Sequence, residues 1–175
     1  MEAPHTFAVT LEILSENEHD PDPVAVNTFA TDTIQALRQQ GYQSQPLSTG
    51  KRGGPQLLFQ MVSQEIQAIG PALLAQKDTL DVLSALCTIV TTMKDLLSTL
   101  FHVSRNQPPL GHAITVRMKI DGAEIEMTSA DIADDERIVQ LAKRFHALYP
   151  QVHPGPQSQV TVQAQVPKQP HRPRR

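Results

Sequence analysis

Between Ile114 and Met127 the chain commits itself to one local structure. Ile114, Val116, Met118 and Ile120 alternate with Thr115, Arg117 and Lys119, the period-two pattern of a half-buried strand. Asp121-Gly122 then supplies a residue pair suited to a tight two-residue turn, and Ile125 and Met127 alternate with Glu124 and Glu126. The result is a β-hairpin with one apolar and one charged face. On the charged face Arg117 and Lys119 are predicted to lie near Glu124 and Glu126, cross-strand pairs worth roughly a few tenths of a kcal/mol each. A lone hairpin is marginal in water, so the flanking sequence must cover its apolar face.

On the C-terminal side a helix is predicted from near Asp134 to Leu148. Asp134, Asp135 and Glu136 sit at its positive end, Lys143 and Arg144 lie towards its negative end, and Ile138, Leu141, Ala142, Phe145 and Leu148 share a face. Towards the N-terminus, Thr6 to Leu14 alternates Phe7, Val9, Leu11 and Ile13 with smaller or polar residues and reads as a first strand. After an acidic, proline-broken segment, Phe29, Thr33, Ile34 and Leu37 fall on one helix face, which Gly41 ends as a left-handed cap. Tyr42 to Leu47, short and carrying Pro46, reads as an edge strand. A strand–helix–strand unit of this size favours parallel pairing of its strands through a right-handed crossover.

Beyond the glycine-rich loop from Ser48 to Pro55, a helical period runs to about Val103, with a break at Gly70-Pro71. Leu83, Leu86, Val90, Met93, Leu97 and Leu100 recur at alternating spacings of 3 and 4, and Leu80, Ile89, Leu96 and Phe101 widen the stripe. One long helix and two shorter ones both fit this pattern. The order that emerges is β-α-β, one long or two shorter helices, a β-hairpin and α. Such a chain is expected to form an α+β two-layer sandwich: a four-stranded mixed sheet with the helices on one face.

A chain of 175 residues suits one domain, assigned here to residues 1–150, followed by a disordered Pro/Gln-rich basic tail, 151–175. The tail holds Lys168, Arg172, Arg174 and Arg175 and no acid, a net of +4. The remaining 11 basic and 18 acidic groups leave residues 1–150 at −7. An acidic body repels phosphate backbones, which argues against specific nucleic-acid binding. Leu80 to Phe101 approaches membrane-spanning length, but Asp81, Lys94 and Asp95 make a core helix the expectation over a membrane span. A single cysteine, Cys87, and no signal-peptide pattern near the start lead to the expectation of a soluble, cytoplasmic protein.

Residue patterns for chemistry fall short one by one. Cys87 and His102 lie 15 residues apart, which is roughly 22 Å along a continuous helix, whereas a nucleophile and its base must approach to about 3 Å. The loop Glu16 to Asp22 gathers oxygen ligands around His19 but lacks the glycine and closing glutamate of a calcium loop, and His19 has no partner at zinc spacing. Gly50 to Pro55 has neither the lysine–hydroxyl ending of a P-loop nor dinucleotide-type glycine spacing. His112, His146 and His153 are scattered, and the tail from Pro167 has PxxP spacing without a defined anchor. No catalytic residue, cofactor or metal is assigned.

The run of elements, with a glycine-rich link at Gly50 to Pro55, an alanine- and leucine-rich helical stretch, a VRMKIDGAEIEM hairpin and a closing helix from Asp134, resembles the effector-associated constant component family of prokaryotic conflict systems, over residues 6–148. That resemblance implies a non-enzymatic adaptor working beside a caspase-like or trypsin-like protease effector and an NTPase or sensing component. The candidate interaction surface comprises Arg117, Lys119, Glu124 and Glu126 on the hairpin and Leu86 and Leu97 on the helical stripe. The alternative is a structural protein that self-associates through the helix from Leu80 to Phe101.

Overall fold

The computed structural model describes residues 5–17, 19, 22–47, 56–63, 77–106, 114–154 and 158–167. These form, in chain order, β1 (His5–Ser15), α1 (Pro23–Gln39), β2 (Ser44–Leu47), β3 (Gln56–Ser63), α2 (Lys77–Thr92), α3 (Lys94–Asn106), β4 (Thr115–Ile120), β5 (Ala123–Met127), α4 (Asp135–Leu148) and β6 (Val160–Val166). The strands make one mixed sheet in the order β2-β3-β1-β6-β4-β5. Apolar residues from every helix and from the inward positions of β1, β4, β5 and β6 merge into a single core, so the molecule is an α+β sandwich with its helices on one face.

The sheet has six strands where four were expected, and both additions have a physical origin. Gln56-Leu-Leu-Phe-Gln-Met-Val-Ser63 carries apolar residues at positions that satisfy a helical period, but Leu57, Phe59 and Met61 also alternate. Antiparallel partners on both sides, β1 from His5↔Ser63 to Glu12↔Gln56 and β2 from Ser44↔Phe59 to Leu47↔Gln56, decide for the strand. β3 therefore replaces the start of the expected helical stretch. It also separates β1 from β2, which run parallel as expected but do not pair; the parallel neighbour of β1 is β6.

β6 is the second addition, and it lies inside the segment assigned to a disordered tail. Val160, Val162, Ala164 and Val166 alternate in sequence, and all four are buried. The strand pairs in parallel with β1 and antiparallel with β4, at the centre of the sheet. The ordered domain thus extends past 150, and the tail's four cations all fall after Pro167, outside the described residues. Of the helices, α1 begins on an Asp22 cap whose side chain accepts from Ala25 N, and it ends ahead of Gly41 at φ +90°. The helical stretch divides into α2 and α3 at Met93, with a bend of 49°. Thr88 and Thr92 each turn a hydroxyl back onto the carbonyl four residues earlier, at 2.8 and 2.7 Å, a bond that bends helices. The break expected at Gly70-Pro71 lies outside the described residues.

Candidate interaction surface

Two consecutive strands and a turn build the surface. Asp121 at φ +50° and Gly122 at φ +86° form the turn, with both residues left-handed as a type I′ hairpin requires. The register sets Arg117 opposite Glu126 and Lys119 opposite Glu124. Val116, Met118, Ile120, Ala123, Ile125 and Met127 are buried on the other side of the same strands. The charged side chains find the partners expected: Arg117 Nε lies 3.4 Å from Glu124 and 3.7 Å from Glu126, and Lys119 Nζ lies 3.2 Å from Glu124.

The pleat continues this polar face inward across the sheet. β6 and β1 place Gln163 and Glu12 in register with Arg117, and Thr161 and Thr10 in register with Lys119. Gln163 Nε2 donates to Glu12 Oε2 at 2.6 Å. A row from Glu12 through Gln163 and Arg117 to Glu126 therefore crosses four strands, with its charges matched side to side. Arg117, Lys119 and Glu124 are each about one-third exposed, and Glu126 is 63% exposed. Their mutual pairing holds the side chains at fixed positions while leaving them open to solvent, although exposed pairs add little to stability.

Leu86 and Leu97 do not belong to this surface. Their relative exposures are 1% and 0%, and together with Leu83, Met93, Leu96 and Leu100 they fill the core of the single chain. The stripe that reads as a self-association seam is spent on intrachain packing, because α2 lies against α4 and α3 against α1. For the same reason the bent pair Val82–Thr92 and Lys94–Asn106 is largely a buried core element. Among the described residues no single helix is long and apolar enough to cross a membrane. Leu148, assigned to the buried face of α4, is 60% exposed at the helix end.

The residues considered for chemistry are not assembled. Cys87 is buried on α2, and burial pushes its thiol up to about 11, the charge of Lys143 opposing only in part. His102 is exposed on α3, where its Nε2 shares a hydrogen bond of 2.9 Å with Asn106. Among the described residues no group of three or more His, Cys, Asp or Glu side chains is placed to hold a metal ion. Gly50 to Pro55, His112 and part of the Glu16–Asp22 loop lie outside the described residues. A groove of about 550 Å³ beside α4 is lined by two ion pairs, Arg144 with Asp131 and Arg137 with Asp134, together with Glu136, Gln140 and Leu141.

Sequence reasoning overlooked two features of the site. The first is β6, whose alternation Val160, Val162, Ala164, Val166 was the available signal. The second is a pair of side chains, Arg144 and Tyr149, that reach the edge of β5; nothing in a linear sequence signals such a contact. The chain matches no family model, no curated protein and no solved structure.

Proposed function

We propose that this chain is a non-enzymatic adaptor that couples a protease-like effector to a sensing or NTPase component through the polar face of its sheet, opposite the described helices. The observation that carries the reading is the ordered polar row from Glu12 to Glu126. Charges fixed by mutual pairing on a rigid strand surface are organised before a partner arrives, which lowers the entropy lost on docking. The resemblance of residues 6–148 to effector-associated components supplies the kind of partner, and the inward commitment of the Leu83–Leu100 stripe disfavours an assembly built on that stripe.

The test is co-expression with the products of adjacent genes and co-purification on a tagged copy of this chain. The wild type should retain a protease-like or NTPase product, and Glu126→Lys should reduce retention at least about tenfold. The substitution reverses a charge that is 63% exposed, and the unfolding free energy from urea denaturation should stay within about 0.5 kcal/mol of wild type. Retention of no neighbouring product by the wild type, or equal retention by Glu126→Lys, would sink the proposal.

A further inference from the structure

Among the described residues no strand lies beyond the outer edge of β5. Ile120 and Ala123 face each other beside the two-residue turn and exchange hydrogen bonds, so alternation directs the N–H and C=O of Glu124 and Glu126 away from β4. An edge of this kind is a template for strand addition. Side chains from the end of α4 meet both carbonyls: the Tyr149 hydroxyl donates to Glu124 O at 2.6 Å, and Arg144 Nη2 donates to Glu126 O at 3.3 Å. Each is held in place by a further contact. The Tyr149 ring packs on Phe145 with centroids 5.2 Å apart, and Arg144 lies 3.6 Å from Asp131, whose carboxylate also accepts from the Thr128 amide and hydroxyl. The opposite edge is the four-residue β2, where Pro46 has no N–H to offer.

We infer that Arg144 and Tyr149 form a clasp that closes the β5 edge to strand addition, and that the segment fitted to displace it is an extended strand with basic residues at alternate positions. The charge requirement comes from Glu124 and Glu126, which stand two residues apart on the polar face of the sheet. From the inner side β4 meets them with Arg117 and Lys119. A strand added on the outer side meets the same two carboxylates, so cations at positions i and i+2 complement them. A second copy of β5 would instead set glutamate against glutamate, which makes self-pairing the disfavoured outcome. The inference deepens the adaptor reading by naming the chemistry of a partner segment.

The probe is a fluorescein-labelled peptide of the β4 sequence, Thr-Val-Arg-Met-Lys-Ile, titrated into the full chain and followed by anisotropy. Tyr149→Phe combined with Arg144→Met should bind it about tenfold more tightly than wild type, because two clasp hydrogen bonds no longer have to be broken. Tyr149→Phe alone removes one hydroxyl, keeps the ring packing and should give a smaller gain at an unchanged circular dichroism spectrum; it keeps the test decisive if the double variant does not fold. A peptide with glutamate in place of both cations should not bind. A folded clasp variant that binds no more tightly than wild type overturns the clasp, and equal binding of the acidic peptide overturns the basic partner. Retention of neighbouring gene products by the wild type is a separate readout. Its failure alongside successful peptide binding would remove the adaptor reading and leave the clasp standing.

Discussion

Cys87 shows how position overrides residue chemistry. A thiol and a histidine on one helical stretch invite the idea of a nucleophile and its base, yet Cys87 is enclosed by aliphatic side chains of the core while His102 faces water. Burial disfavours the thiolate, and the folded pKa rises from 9.0 to about 11. The consequence for stability follows from proton counting. Below pH 9 the thiol is protonated in both states and contributes no pH dependence. As pH rises above 9 the unfolded chain releases the proton and the folded chain retains it, so stability falls until about pH 11 and then levels. Urea midpoints measured from pH 8 to 11 should therefore decline more steeply for the wild type than for Cys87→Ala, in which this contribution is gone while other titrating groups are unchanged. Parallel curves would show that burial does not control the thiol. The alternation of Val9, Leu11 and Ile13, the left-handed Gly41 and the Arg117 and Lys119 ion pairs were all legible at this scale, because each depends on neighbours a few residues away or just across a two-residue turn.

The hairpin is more than a local unit. Its turn residue Asp121 accepts from Gln159 N at 3.0 Å and from the Ser158 hydroxyl at 2.8 Å, and its own amide donates to Gln159 O at 3.0 Å. The Asp-Gly pair thus serves twice, reversing the chain and fastening the entry to β6. Asp121→Ala removes both side-chain acceptors and places alanine at φ +50°. The expected loss is roughly 1–2 kcal/mol in urea denaturation. Asp121→Asn keeps an acceptor and a residue tolerant of that φ, and should recover most of the loss; an alanine variant as stable as wild type would dismiss the fastening. The turn was legible from sequence because its φ requirement is local. The fastening was not, since Ser158 and Gln159 are brought to it only when β6 enters the sheet. Likewise the helical period of Leu83 to Leu100 marked a buried stripe but not what buries it, and a self-association seam and an intrachain core carry the same pattern.

At the scale of the molecule, two split strand–helix–strand units meet at one ladder. β1 and β2 run parallel with β3 between them, β5 and β6 run parallel with β4 between them, and the β1–β6 pair joins the halves. A chain ending at Pro154 lacks β6 and should lose its cooperative unfolding transition, because Val160, Val162 and Val166 each bury a side chain worth about 1.5–3 kcal/mol and the ladders to β1 and β4 go with them. A chain ending at Pro167 keeps every described element and is the reference. A cooperative transition in the shorter chain at the reference midpoint would mean that β6 is dispensable. What the sequence determined by itself is the set of elements whose signals are periodic and local: β1, α1, the hairpin and α4, hence the α+β class and the polarity of the hairpin's two faces. The tertiary structure decided which ambiguous segment became β3, that the presumed tail supplies a central strand, that Leu86 and Leu97 face inward, and that Arg144 and Tyr149 reach the β5 edge. Each of those depends on a partner far along the chain. Pairing energy and burial across such distances carry no period that a linear reading can detect.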